Sequence, residues 1–125
     1  FSKGILLSPS VWTTLADDNF IYTSQHAFSD GTTSWSWDLY KQLFPTQYLG
    51  EVDPSQVSFF VATTSDDGVV PVADVDAFVE QLKNAGINVD YQRDSGDNHN
   101  WKYWSRVAPT AYAWALDQFK SADSK

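Results

Sequence analysis

A chain of 125 residues and 14.1 kDa has room for about one domain built on a single core. Apolar residues make up 42% of it, which excludes disorder and collagen-like repeats. Eight Lys and Arg against 16 Asp and Glu leave a net charge of -8 and a pI near 4.3, the wrong sign for a phosphate backbone or an anionic bilayer, so neither nucleic acid nor membrane is expected as a partner.

With no cysteine, a disulfide framework, a thiolate zinc site and a thiol nucleophile are all excluded. No apolar run reaches the roughly 18 residues of a membrane-spanning helix, and no basic-then-apolar signal opens the chain. There is no methionine and the first residue is Phe1, so an upstream segment is expected. The acidic, aromatic-rich composition favours an extracellular over a cytoplasmic location.

Gly4-Ile5-Leu6-Leu7-Ser8, stopped by Pro9, predicts a first, buried strand of a parallel sheet. From about Thr13 to Thr33 the pattern has no period and reads as a long surface excursion, until Ser34 offers an N-cap. Trp35, Leu39 and Leu43, with Tyr40 and Phe44 beside them, predict a helix ended by Pro45, and a connection then runs to about Pro54. Val57 to Ala62 is a β-branched and aromatic run between turn formers, a second buried strand.

After the turn Thr64-Ser65-Asp66-Asp67-Gly68, the apolar set Val72, Val75, Phe78, Val79 and Leu82 has helical spacing, with Asn84-Ala85-Gly86 as its stop. Ile87 to Tyr91 alternates apolar and polar, as a strand nearer a sheet edge does. A polar loop from Arg93 to Asn100 leads to an aromatic stretch, and a last helix is predicted from about Pro109 to Phe119. Strands alternating with helices imply an α/β fold of three parallel strands with flanking helices. An apolar leading strand at the edge of so small a sheet calls for a further neighbour.

In open parallel sheets, functional groups gather where loops leave the carboxyl ends of the strands. Asp67 follows the second strand and His99 the third, with one helix and one strand between them. An imidazole oriented by a carboxylate is the base-and-acid half of a nucleophilic triad. His26 has no motif around it and reads as a surface histidine, and no ligand spacing joins it to His99 and nearby Asp residues as a metal site.

The pieces Phe1-Ser2-Lys3-Gly4 through Leu7-Ser8-Pro9-Ser10-Val11-Trp12, Ser65-Asp66-Asp67-Gly68-Val69-Val70-Pro71, Asn84-Ala85-Gly86-Ile87 and Gly96-Asp97-Asn98-His99-Asn100-Trp101-Lys102-Tyr103-Trp104 resemble, in order, the C-terminal half of one esterase branch of the α/β-hydrolases. That branch holds the esterase D-like S-formylglutathione hydrolases, acetylxylan and feruloyl esterases, enterochelin esterases and mycolyltransferases. The resemblance implies that residues 1–125 are the C-terminal portion of a single α/β-hydrolase domain, with Asp67 as triad acid and His99 as general base. Asp66 is then a turn residue that accepts backbone hydrogen bonds.

Such enzymes carry their serine in a G-x-S-x-G elbow, and no two glycines of this chain stand four apart. The resemblance therefore implies a partner: the N-terminal half of the same protein, bearing the serine. It gives no nucleophilic role to Ser8 or Ser10, which cap or line a loop. The expected activity is hydrolysis of a carboxylic ester, small-molecule or carbohydrate-linked, without metal or organic cofactor. The alternatives are acyl transfer by the same chemistry, a non-catalytic carbohydrate-binding module, or an inactive fragment.

Candidate substrate-binding residues are Trp101, beside His99, and Trp12 and Trp35, which border the irregular excursion. In this branch such an insertion lies over the active site. Equally open is a separate aromatic cluster of Trp12, Phe20, Tyr22, Trp35 and Trp37 pinning a long loop.

Overall fold

A computed structural model describes residues 2–13, 28–29, 31–32 and 35–123. The chain divides into two units, one made of Phe1–Trp12 with Asp53–Lys125 and the other of Thr13–Val52.

The first unit holds the sheet. Strand β1 is Lys3–Leu7, β2 is Ser58–Thr64 and β3 is Asn88–Asp94. They lie in the order β1-β2-β3, all parallel, with Ile5 opposite Phe60 and Val61 opposite Tyr91. The run Ser-Phe-Phe-Val-Ala-Thr-Thr takes the centre, where β-branched and aromatic side chains fill both faces; every residue of β2 except Phe59 is buried. Contrary to the expectation of full burial, all five residues of β1 are only half-buried, because among the described residues it pairs on one side alone.

Helix α2, Val72–Asn84, connects β2 to β3 and packs on both. Its stripe Val75, Phe78, Val79 and Leu82 is buried, as the 3.6-residue period predicts, and Gly86 supplies the positive φ of +81° that closes its C-terminal end. Tyr91 donates its hydroxyl to Asp76 of α2, so the odd-numbered residues of β3, and Val61 beside them, face α2.

The long C-terminal helix, which we number α3 in the first unit, is Trp101–Asp123 and lies on the other face, against β1 and β2. Its buried stripe Tyr103, Val107, Ala111 and Trp114 forms a core with Phe60 and Ala62, joined by Ile5 and Leu7. Each large apolar side chain buried there contributes about 1.5–3 kcal/mol. The helix starts eight residues before the predicted Pro109. Asn100 caps it, its Oδ1 accepting the Tyr103 N–H at 3.2 Å, and the helix runs on through Pro109, which faces solvent.

In the second unit, α1 is Trp37–Leu43, capped by Ser36, whose Oγ accepts the Leu39 N–H at 3.2 Å. The cap is thus Ser36 and not the predicted Ser34, and the helix excludes Trp35. The predicted plain connection is coiled into two 3-10 turns, Pro45–Glu51 in this unit and Pro54–Gln56 in the first. Phe28, Trp35, Trp37, Tyr40 and Phe44 form a chain of aromatic contacts with ring centroids 5.2–5.7 Å apart. Phe20, Tyr22, His26 and Ser34 lie outside the described residues.

Candidate active site

Because β2 and β3 are neighbours in parallel register, with Thr64 opposite Asp94, the loops that leave their carboxyl ends emerge side by side. Backbone and short polar side chains lace these loops together. The Ser65 N–H donates to the Asp94 carbonyl at 2.9 Å, and the Thr64 hydroxyl donates to the Gly96 carbonyl at 2.8 Å. The Asp66 carboxylate accepts the Gly96 N–H at 2.6 Å, the backbone-accepting role expected of that turn residue.

Asp67 turns its carboxylate inward, and its side chain is fully buried. One oxygen, Oδ1, accepts the N–H groups of Val69 and Val70 at 2.9 and 2.8 Å, which fixes the plane of the group. The other, Oδ2, is 2.9 Å from Nδ1 of His99, 32 residues later in the chain. A carboxylate only accepts, so Nδ1 carries the proton and the Nε2 lone pair is left to take one. The His99 side chain keeps 22% of its surface exposed.

Residues without a role in the motif hold this pair in place. Asn98 Oδ1 accepts both the Gly68 N–H at 2.8 Å and the His99 N–H at 2.7 Å. Asp97, at φ +61°, holds the loop against α3 through Lys102 at 2.8 Å and Arg106 at 3.1 Å. The Lys102 ammonium, with Arg106 beside it, keeps the Asp97 carboxyl below its ordinary 3.8. Sequence reasoning passed over Asn98, although an Asn in a Gly-Asp-Asn-His turn is a loop-fastening residue type.

The aromatic candidates are placed separately. Trp12 is buried, and its Nε1–H donates to the Val69 carbonyl at 3.0 Å, so it braces the loop that carries Asp67. Trp101 is 77% exposed and meets Trp104 edge to face. The ring against His99 is Trp104, with centroids 5.2 Å apart at 84°. Trp35 belongs to the aromatic chain of the second unit. Among the described residues no group of three His, Cys, Asp or Glu is placed to hold a metal ion, and no helix is long and apolar enough to cross a membrane.

A buried carboxylate orienting a partly exposed imidazole at the carboxyl rim of a parallel sheet is the arrangement found in nucleophilic hydrolases. Residues 4–122 match the prolyl oligopeptidase family. The chain belongs to that family. Among solved structures it is similar to the carboxylesterase Cest-2923 from Lactobacillus plantarum WCFS1, with a TM-score of 0.54 and 16% identity, covering 94% of this chain and 44% of that one. It is also similar to an acetyl ester-xyloside bifunctional hydrolase from Caldicellulosiruptor lactoaceticus, with a TM-score of 0.53 and 16% identity, covering 98% of this chain and 43% of that one.

The fold is that of an α/β-hydrolase, as the sequence motifs imply, and this family member spans less than half the length of either structure. No curated protein matches the chain.

Proposed function

We propose that this chain supplies the acid and the base of a serine hydrolase that cleaves carboxylic esters, small-molecule or carbohydrate-linked. The nucleophilic serine belongs to a preceding segment of the same protein. The observation that carries the reading is the 2.9 Å contact between Asp67 Oδ2 and His99 Nδ1. With Oδ1 engaged by two backbone N–H groups, Asp67 has one oxygen for the imidazole and holds it in the Nδ1–H tautomer.

His99 Nε2 then takes the proton of the serine hydroxyl as its oxygen attacks the ester carbonyl. The resulting imidazolium, stabilised by Asp67, returns the proton to the departing alcohol and leaves an acyl-enzyme. In the second half, Nε2 deprotonates water, the hydroxide oxygen attacks the acyl carbon, and the proton passes to the released serine. An alcohol in place of water makes the same steps an acyl transfer. The similar solved structures are named as a carboxylesterase and an acetyl ester-xyloside hydrolase, which supports an ester as substrate.

The family match supports a second reading, cleavage of an oligopeptide by the same acyl-enzyme route. Labelling with a fluorophosphonate, measured on the protein that bears both this chain and the serine, tests the shared mechanism. Asp67→Asn and His99→Gln are each expected to slow labelling on the order of 10³-fold or more. Labelling that persists at the parent rate in both variants overturns the assignment. Turnover of p-nitrophenyl acetate against that of a proline-containing peptide p-nitroanilide decides between ester and peptide.

A further inference from the structure

We infer that Trp104 is a positioning residue for the His99 imidazole and that Ser8, at the end of β1, is its anchor; this rests on the reading of His99 as the general base. Asp67 holds the imidazole at one atom, Nδ1, and a single hydrogen bond leaves the ring free to swing about that contact. The Trp104 indole lies against it at 84° with centroids 5.2 Å apart, and so closes one direction of swing. An indole that could itself turn would confine nothing. Its rotation is restrained by Nε1–H, which donates to Ser8 Oγ at 3.2 Å across 96 residues of chain.

Ser8 is itself held unusually. It is 3% exposed, its N–H donates to the Ala62 carbonyl at 2.8 Å, and its φ is +46°, a region where residues with a Cβ are disfavoured. Glycine fits that backbone without strain. Serine adds a Cβ and a hydroxyl there, and the hydroxyl oxygen is the acceptor for Trp104. The carboxyl ends of all three strands thus converge on one imidazole: β1 through Ser8 and Trp104, β2 through Asp67, β3 through the loop of His99 itself. This gives Ser8 a purpose other than nucleophilic attack, and it makes Trp104, not Trp101, the aromatic residue that matters to the base.

The test is NMR of the protein labelled with ¹⁵N-histidine, following the Nδ1–H proton of His99 and its exchange with water. The resonance is assigned by its loss in His99→Gln. Trp104→Leu is expected to speed exchange by about three- to tenfold, the factor an edge-to-face aromatic pair is worth. Ser8→Gly, which relieves the backbone while removing the acceptor, is expected to move exchange in the same direction, with the backbone amides of β2 and α2 unchanged. Trp104→Phe, which keeps a ring against His99, is expected to recover part of the protection lost in Trp104→Leu.

Exchange as slow in Trp104→Leu and Ser8→Gly as in the parent overturns the inference. Asp67→Ala separates that failure from failure of the underlying reading: if it abolishes the protected proton while the other two variants do nothing, the Asp67–His99 pair stands and the positioning role falls. If Asp67→Ala also leaves the proton protected, the pairing itself is wrong.

Discussion

The side chain of Asn98 fastens the loop after β3 to the backbone of Gly68, 30 residues earlier in the chain, at 2.8 Å. The same oxygen accepts the N–H of His99 at 2.7 Å, so one amide fixes the spacing of the two loops that carry Asp67 and His99. Asn98→Ala leaves both donors to water and is expected to cost on the order of 1–2 kcal/mol of folding stability. Asn98→Asp, which keeps the acceptor, is expected to recover most of it. The urea midpoint reports both, and an unchanged midpoint in Asn98→Ala rules out the tie.

Asp97 makes the stability of this loop depend on acidity. Its contact with Lys102, supported by Arg106, holds its carboxyl below the ordinary 3.8 in the folded chain. A depressed folded value means that the contribution is fully present above the ordinary value and is lost as pH falls through the lower one. Asp97→Asn is well suited as a probe, since Asn tolerates the φ of +61° at this position. The parent is expected to exceed the variant in stability at neutral pH, and the two thermal midpoints should converge below the ordinary value. A difference that stays constant from pH 7 to pH 2 contradicts the ion-pair origin.

Much of this architecture is legible from residues alone, for reasons that also mark where legibility stops. The β-branched and aromatic run of β2 and the buried stripe of α2 are local patterns, and Gly86 marks the end of α2 because the turn there needs a positive φ of +81°. The meeting of Asp67 with His99 follows from topology: residues after adjacent parallel strands share one rim. Contacts that depend on where an element begins are not legible in this way. Pro109 looks like the first residue of a helix, so Trp104 falls outside it and its place beside His99 goes unseen. Tertiary packing of Tyr103 and Val107 carries the helix back past that signal to Asn100.

Tyr103 couples the core beneath α3 to the end of β3 through its hydroxyl, which donates to Asp94 Oδ2 at 3.0 Å. The residue is fully buried, and burial, together with the Asp94 carboxylate, pushes its phenol above the ordinary 10.0. A raised folded value means that the contribution is complete below the ordinary value and is lost as pH rises through the folded one. Tyr103→Phe is expected to cost about 1–2 kcal/mol at neutral pH, because Asp94 keeps only Gln92 of these two side-chain donors. The deficit should shrink as pH climbs above the ordinary tyrosine value. A deficit that grows with alkali shows that the hydroxyl is not the neutral donor described.

Pro109 stands in the ninth position of a helix of 23 residues, where it has no N–H to give the carbonyl of Ser105. Both residues are exposed, so water can take up that carbonyl and the helix absorbs the defect on its wet side. Replacing Pro109 by Ala restores the missing donor and removes the ring from the crowded turn, with no change to the buried stripe of Tyr103, Val107, Ala111 and Trp114. Pro109→Ala is therefore expected to stabilise the chain by about 1–3 kcal/mol in urea unfolding, the range set by the helix propensities of the two residues. The Nδ1–H signal of His99 should stay unchanged, because the first turn of α3, which carries Trp104, is fixed by Asn100 and not by Pro109. A variant that is less stable than the parent contradicts this account of the proline as a defect that the helix tolerates on its exposed side.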